Sequence, residues 1–183
     1  MSISVYLPDS EPGPLSTSLA PSPTSLAGVR IAVLDNGKPN ADVVMTRAAE
    51  VLAARTGAVV SVITKKGPLG QSANAAIPLA PDRLELMLAQ ADIVITGAAD
   101  CGSCTAYSVH DAIELERNGK PTVVVTTTQF EPVAKTLSAS FGAPRTRLLV
   151  LPHPIGGTDE STLQEWADAA VDQLIALFTG IMQ

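Results

Sequence analysis

The sequence has few aromatic side chains and a deficit of positive charge. Its 183 residues include three Phe, two Tyr and one Trp, and the formal net charge is −6. A surface that binds nucleic acid needs clustered Lys and Arg for the phosphates and aromatic rings on which bases stack. The chain has no such cluster, so we expect no nucleic-acid partner.

Long apolar runs are also absent. A helix that spans a bilayer needs about 18 or more consecutive apolar residues, and no run in the chain approaches that length. The first residues lack the basic start and apolar centre of a secretory signal. We therefore expect no membrane partner and a cytoplasmic location.

Cysteine is scarce, and its two copies lie close together. Both occur in the segment GAADCGSCT, residues 97–105. In a reducing compartment such a pair is more often catalytic or metal-binding than a structural crosslink. The spacing alone is compatible with a reversible disulfide, half of a metal site, a nucleophilic thiolate with a helper thiol, or two small buried side chains.

Five short apolar runs, rich in β-branched residues, alternate with helical patterns along most of the chain. The runs are RIAVLD (30–35), VVSVIT (59–64), DIVITG (92–97), TVVVTT (122–127) and RLLVLP (147–152). The helical patterns cover 42–55, 82–90, 105–118, 131–141 and 161–178. Nearly continuous apolar strands are typical of parallel sheets covered on both faces. With right-handed crossovers, this alternation predicts one α/β domain over 28–183, an open doubly wound sheet of flavodoxin or Rossmann type in the order 2-1-3-4-5.

Two segments do not fit this alternation. Residues 1–27 are rich in Pro and Ser without a hydrophobic period, and we expect an irregular tail, either an arm on a partner subunit or a tolerated extension. Residues 65–81 are rich in Gly, Pro, Ala and Asn. That segment is too long for a routine connection and predicts a mobile flap.

Polar loops should converge at the carboxyl edge of the sheet, where such folds bind their ligands. The loops that follow strands 1, 3, 4 and 5 read DNGKPN (35–40), DCGSCT (100–105), TTTQ (126–129) and PHPIGG (152–157). Ordinary helix-ending loops occupy the opposite edge. We therefore place the functional site at the carboxyl edge, near strands 1 and 3.

The first cysteine should lie at or just before the first turn of the third helix. Free N–H groups and the helix dipole at such a position favour a thiolate, and thiols there can have pKa values of roughly 3.5 to 7.5. We therefore expect Cys101 to be the nucleophile and Cys104 the resolving thiol. Gly102 allows close approach of a ligand, and Ser103 or Thr105 could cap the helix or bind a substrate oxygen.

Other polar residues of this edge are candidates for proton transfer or substrate binding. His153 lies between two prolines and could bind a carboxylate or move a proton. Asp35 is a candidate for a proton role or for orienting Lys38. Lys38, Asn40 and Thr127 are candidates for substrate binding, although a solvated turn with Asn40 as a helix cap also explains the first two.

A metal site would need further ligands beside the two thiols. Only His110 and His153 offer imidazoles, next to carboxylates such as Asp35 and Asp100. His110 lies beside the apolar face of its predicted helix, where we expect a hydrogen-bonded, half-buried histidine. We therefore expect no metal and no bound cofactor.

Four segments together resemble the UGSC family, named for selenocysteine-Gly-Ser-Cys, in which many members carry cysteine in the first position. The matching segments are LDNGKPNAD (34–42), GAADCGSCT (97–105), SVHDAIELERNGKPTVVV (108–125) and PHPIGG (152–157). The central segment is similar, more distantly, to the selenoprotein B subunits of glycine, sarcosine, betaine and proline reductases. The resemblance implies that Cys101 matches the selenocysteine that attacks carbon, and that Cys104 matches the second thiol.

Three functions remain open from the sequence. The first is a cysteine-dependent oxidoreductase, lyase or transferase that cleaves or transfers a group of a small carboxylate-bearing substrate and is restored by an external thiol reductant. The second is a cofactor-independent racemase, isomerase or lyase in which cysteines move protons. The third is a non-catalytic subunit that presents a thiol to a larger partner. A homo-oligomer is compatible with each of them.

Overall fold

The computed structural model describes residues 17–65 and 74–180. Within them five strands occur: β1 (Arg30–Asp35), β2 (Val59–Thr64), β3 (Ile93–Ala99), β4 (Thr122–Thr127) and β5 (Arg147–Leu151). The α-helices are α1 (Ala41–Thr56), α2 (Pro81–Gln90), α3 (Gly102–Arg117), α4 (Glu131–Ser140) and α5 (Glu160–Thr179). A 3₁₀ turn covers Asn74–Ala76.

The five strands form one parallel sheet in the order β2-β1-β3-β4-β5. The predicted α/β fold and strand order are therefore confirmed. The order reverses at β1, because β2 pairs with one side of this strand and β3 pairs with the other. Loops that follow β1 and β3 diverge at such a point and leave a crevice at the carboxyl edge.

Helices cover both faces of the sheet. On one face α1 and α5 pack against Ile31 and Val33 of β1, whereas Ala32 and Leu34 point to the other face, where α2 and α3 lie. The side chains of β1 alternate between the two faces because successive residues of a strand point to opposite sides of the sheet. Every residue of β3 and β4 is buried, as expected for central strands covered on both sides.

The strand that leads to the cysteines contains an irregularity beside β4. Thr96 pairs with Val124, but the next paired residue is Ala99, which faces Thr126. Gly97 lies between them with a φ of 134°, and a Cβ there would collide with the backbone of Val125. Only glycine fits this close approach, so the end of β3 is fixed against β4.

All five helices begin within three residues of the starts of the predicted helical patterns. α3 starts at Gly102, directly after Cys101, which confirms the prediction that the first cysteine lies at the start of this helix. α5 starts after Asp159, whose carboxylate accepts hydrogen bonds from the Ser161 hydroxyl at 2.6 Å and from the Thr162 N–H at 2.9 Å. These donors hold the pKa of Asp159 at about 2. Its contribution to stability is therefore present above its ordinary pKa and is lost as the pH falls through about 2.

A buried ion pair joins the amino edge of the sheet to residues that precede it. Glu116 of α3 pairs with Arg147 of β5, with side chains 2% and 9% exposed. The same carboxylate accepts the N–H groups of Thr122 at 2.8 Å and Ala20 at 2.6 Å. Residues 17–27 contain no helix or strand, yet Ala20 is buried by these contacts. The remainder of the predicted tail, 1–16, lies outside the described residues.

A second buried ion pair attaches the predicted flap to α3. The Lys65 ammonium lies 2.6 Å from the Asp111 carboxylate and 2.6 Å from the Ile77 carbonyl oxygen. The Leu79 N–H donates to the same carboxylate at 2.8 Å. Both described ends of the predicted flap, 65–81, are thus bound to α3. Residues 66–73 of that flap are not among the described residues.

Removal of the Glu116 carboxylate should destabilise the fold strongly. In Glu116→Ala the Arg147 guanidinium stays buried without its partner, and the free energy of unfolding should fall by about 3 to 5 kcal/mol. Urea unfolding followed by the fluorescence of Trp166 measures the change. Glu114→Ala, two positions earlier on the same helix, is the control and should change the value by less than about 0.5 kcal/mol. Equal stability of both variants would contradict the role of the ion pair.

Candidate functional site

A cysteine caps the helix that follows the central strand. Cys101 is the N-cap of α3, in an extended conformation, and its Sγ accepts the N–H of Cys104 at 3.3 Å. In most helices the side-chain atom that accepts this N–H at the N-cap is an oxygen. Since the sulfur faces the positive end of the helix dipole, negative charge on it is favoured. The prediction that Ser103 or Thr105 caps the helix is wrong.

The two cysteines form a disulfide but differ in exposure. Their Cα atoms are 5.4 Å apart. Cys101 is partly exposed, whereas Cys104 is 0% exposed. A dissolved molecule can therefore reach only the first sulfur. This asymmetry is the one expected of an attacking thiol and a resolving thiol.

Asp100 lies beside both cysteine sulfurs. The sequence analysis named it only as one of several carboxylates that a metal site could use. One of its carboxylate oxygens and the two Sγ atoms all lie within 4.8 Å of one another. Its Oδ2 accepts the N–H of Gly156 at 2.9 Å, so the loop after β5 fixes the carboxylate. The signal in the sequence is its position, directly before the first cysteine at a strand end.

The loop after β5 crosses the carboxyl edge and reaches β1 as well. The Asn40 amide donates to the carbonyl oxygens of Ile155 at 2.9 Å and Thr158 at 2.8 Å. Together with the Asp100 contact to Gly156, this joins the loops that follow β1, β3 and β5. Asn40 occupies the N-cap position of α1, but its side chain makes no capping bond. Asn40 is therefore the N-cap residue of α1, as one of the two alternatives predicts, but its amide binds the loop after β5 rather than an N–H group of the helix.

Two predicted site residues bind neighbouring groups of the protein. Asp35 is 3% exposed, and its carboxylate accepts the Gly37 N–H at 2.7 Å and the Thr64 hydroxyl at 2.8 Å. The buried Thr105 hydroxyl donates to the Cys101 carbonyl at 2.5 Å. These contacts hold the loops after β1 and β3 in shape, and neither side chain is open to solvent.

A histidine is held at the ends of β4 and β5. The Nδ1 atom of His153 lies 3.1 Å from the hydroxyl of the buried Thr127, and the imidazole ring packs against Phe130 with centroids 5.8 Å apart. His153 itself is exposed. Thr127 therefore orients the ring, and Nε2 is the nitrogen that can meet a ligand.

The remaining predicted binding residues are accessible. Gly102 and Ser103 are exposed in the first turn of α3, and the Ser103 hydroxyl lies 3.9 Å from the Cys101 sulfur. Lys38 is partly exposed in the loop after β1. Among the described residues no hydrogen bond joins Lys38 or His153 to a cysteine, so any cooperation between them would require a ligand.

The histidines do not take part in a metal group with the thiols. In the described part of the chain, the group of possible ligands at the cysteines consists of Asp100, Cys101 and Cys104. His110 lies elsewhere, with Nδ1 3.5 Å from an Asp111 oxygen. Four protein ligands are usual for structural zinc, and three with a water for catalytic zinc. The absence of a functional metal stays a prediction.

Comparisons with known proteins identify the family of the chain and a weak likeness to solved structures. The model of the UGSC family matches residues 5–180. No curated protein sequence matches the chain. The crystal structure of a flavodoxin-like domain from Synechococcus sp. is 10% identical, covers 79% of this chain and 97% of that chain, and superposes with a TM-score of 0.41. None of the described helices is long and apolar enough to cross a membrane.

Alkylation of the reduced protein should distinguish the two thiols. Iodoacetamide should label Cys101 first and should do so well below about pH 8, because this sulfur is accessible and lies at the helix start. Peptide mass mapping after short exposures measures the order. In the Cys101→Ser control, Cys104 should be labelled slowly, since it is buried. Faster labelling of Cys104 would reverse the assigned roles.

Proposed function

This chain belongs to the UGSC family, and from that premise we propose that it is a thiol-dependent enzyme acting on a small, carboxylate-bearing electrophile. The observation that carries the proposal is the arrangement of the two cysteines. One sulfur is accessible and caps a helix, while the second lies buried at bonding distance beneath it. Such a pair can attack a substrate and then release it by forming a disulfide.

The proposed reaction has two steps, attack on the substrate by Cys101 and release of the product by Cys104. The Cys101 thiolate attacks a carbon next to a carbonyl group and forms a carbon–sulfur bond, while the substituent on that carbon leaves with the bonding electrons and takes up a proton. Cys104 then attacks the Cys101 sulfur, and the carbon–sulfur bond breaks towards the carbon, which accepts a proton. The substrate gains two electrons, and the thiol pair is oxidised to a disulfide.

Either of two further steps completes the cycle. An external dithiol reduces the disulfide and is itself oxidised. Alternatively, an acceptor thiol attacks the group held on Cys101 and carries it away, which is group transfer without net oxidation. The similarity to selenoprotein B subunits of amino-acid reductases stays a prediction, and it agrees with the first of these outcomes.

Side chains around the crevice supply binding and a proton. The exposed first turn of α3, with Gly102 and Ser103, offers N–H groups to a substrate carboxylate. Lys38 supplies positive charge from the loop after β1. The His153 imidazole, oriented by Thr127 at 3.1 Å, donates the proton to carbon.

The alternative of a cysteine racemase fits the geometry less well. Two cysteines that exchange protons with one carbon must approach it from opposite sides. Here Cys104 is fully buried behind Cys101, so both sulfurs lie on the same side of any bound molecule. The reductive reaction uses this arrangement, since its second step needs contact between the sulfurs rather than between Cys104 and the substrate.

Substitution of each cysteine should separate the two steps. Cys101→Ser should abolish turnover of small α-substituted carboxylates, whereas Cys104→Ser should still be attacked and should retain the substrate fragment on Cys101. Intact-mass spectrometry after incubation, with chloroacetate as the first probe, detects this adduct. Full activity of either variant would contradict the thiol mechanism. Activity that appears only after addition of a partner protein would favour the thiol-presenting subunit.

Steady-state kinetics should separate binding from proton transfer. Lys38→Ala should mainly raise KM, because its charge binds the carboxylate in the ground state and the transition state alike. His153→Ala should mainly lower kcat, by about 10²-fold to 10⁴-fold, because a proton donor is lost. Lys135→Ala and His110→Ala are matched controls outside the crevice and should leave both constants unchanged. The opposite pattern would show that the two roles are assigned wrongly.

A further inference from the structure

The resolving thiol has no contact with solvent, which raises the question of where its proton goes. Cys104 is 0% exposed, so water cannot take the proton from its sulfur. The nucleophile in thiol exchange is the thiolate. The second step of the proposed reaction therefore needs a proton acceptor that belongs to the protein.

Two groups lie close enough to the sulfur to be considered. The Cys101 carbonyl oxygen is 3.1 Å from the Cys104 Sγ and would accept a hydrogen bond from the reduced thiol. An amide carbonyl is too weak a base to remove that proton at neutral pH. The other group is the Asp100 carboxylate. One of its oxygens and the two sulfur atoms lie within 4.8 Å of one another, and no other Asp, Glu or His among the described residues lies that close to both sulfurs.

The carboxylate of Asp100 is held in place and keeps an open oxygen. Its Oδ2 accepts the Gly156 N–H at 2.9 Å. Oδ1 accepts no hydrogen bond from the described residues. Because Asp100 is partly exposed, a proton received there can pass on to water.

We propose that Asp100 accepts the proton of Cys104 when Cys104 attacks the sulfur of Cys101. The inference rests on the proposed thiol function and adds the base that its second step requires. The S–H bond of Cys104 breaks towards Asp100, which becomes a carboxylic acid. The sulfur–sulfur bond forms, and the group on Cys101 leaves with the electron pair of its bond to that sulfur.

Oxidised glutathione tests this step without knowledge of the natural substrate. Cys101 of the reduced protein attacks the glutathione disulfide and forms a mixed disulfide, which Cys104 then resolves. Acid quenching and intact-mass spectrometry give the rate constant of resolution. In Asp100→Asn we expect resolution to be about 10²-fold slower, as for loss of a general base, so that the mixed disulfide on Cys101 accumulates.

If Asp100 acted only through its negative charge, Asp100→Asn would change the rate of resolution in the opposite direction. Removal of a negative charge beside a thiol favours its thiolate and would speed resolution. Resolution in Asp100→Asn at or above the rate of the unmodified chain would therefore overturn the inference. Asp82→Asn, an exposed acid on α2, is the matched control and should resolve at the unmodified rate. Equal slowing in this control would also overturn the inference.

Chemical rescue separates a proton role from a structural one. Asp100→Ala should resolve slowly, and added formate should restore much of the rate, whereas chloride at the same ionic strength should not. Absence of rescue, together with a lower melting temperature or slower alkylation of Cys101, would overturn the inference in favour of a structural role. If Cys101 of the unmodified chain forms no mixed disulfide, the proposed function fails, and the inference fails with it.

Discussion

The capping bond between the Cys101 sulfur and the Cys104 N–H is the interaction on which the rest of the site depends. It places a sulfur where backbone donors and the helix dipole favour negative charge. The same helical turn sets the second sulfur directly behind the first. The start of α3 therefore determines which sulfur is exposed and which sulfur faces the helix dipole. In the proposed mechanism it also determines which of the two thiols attacks first.

The position of α3 is itself fixed along its length. At its start the glycine bulge of β3 holds the preceding strand against β4. In its middle Asp111 pairs with Lys65, and near its end Glu116 pairs with Arg147. A buried ion pair adds little stability relative to well-packed apolar residues, but it is costly to break. The two pairs thus act as constraints, and they hold the helix that carries both thiols in one position on the sheet.

The fold and the thiols could be predicted from the sequence because both depend on local patterns. The β-branched run at 122–127 predicts both ends of β4 correctly. Cys101 follows another such run, and this position predicts that it lies at the start of a helix. The roles of Asp100 and Asn40 could not be predicted. Both contact the segment after β5, whose path across the sheet is set by packing of α5 beside α1. No short-range pattern records that path. The burial of Asp35 could not be predicted for the same reason, since Thr64 of a neighbouring strand binds its carboxylate.

Burial of the second thiol also determines how the oxidised site can be reduced. An incoming thiolate can reach only the Cys101 sulfur, because Cys104 is fully buried. It must therefore form its mixed disulfide on Cys101, and Cys104 must leave as the thiolate. A buried thiolate beside a carboxylate is a poor leaving group unless a proton is supplied as the bond breaks. In the proposed mechanism the carboxylic acid form of Asp100, which lies beside this sulfur, supplies that proton. In the proposed mechanism the same carboxyl group beside the two sulfurs would serve attack and regeneration, and one accessible sulfur would be enough for both a substrate and a reductant.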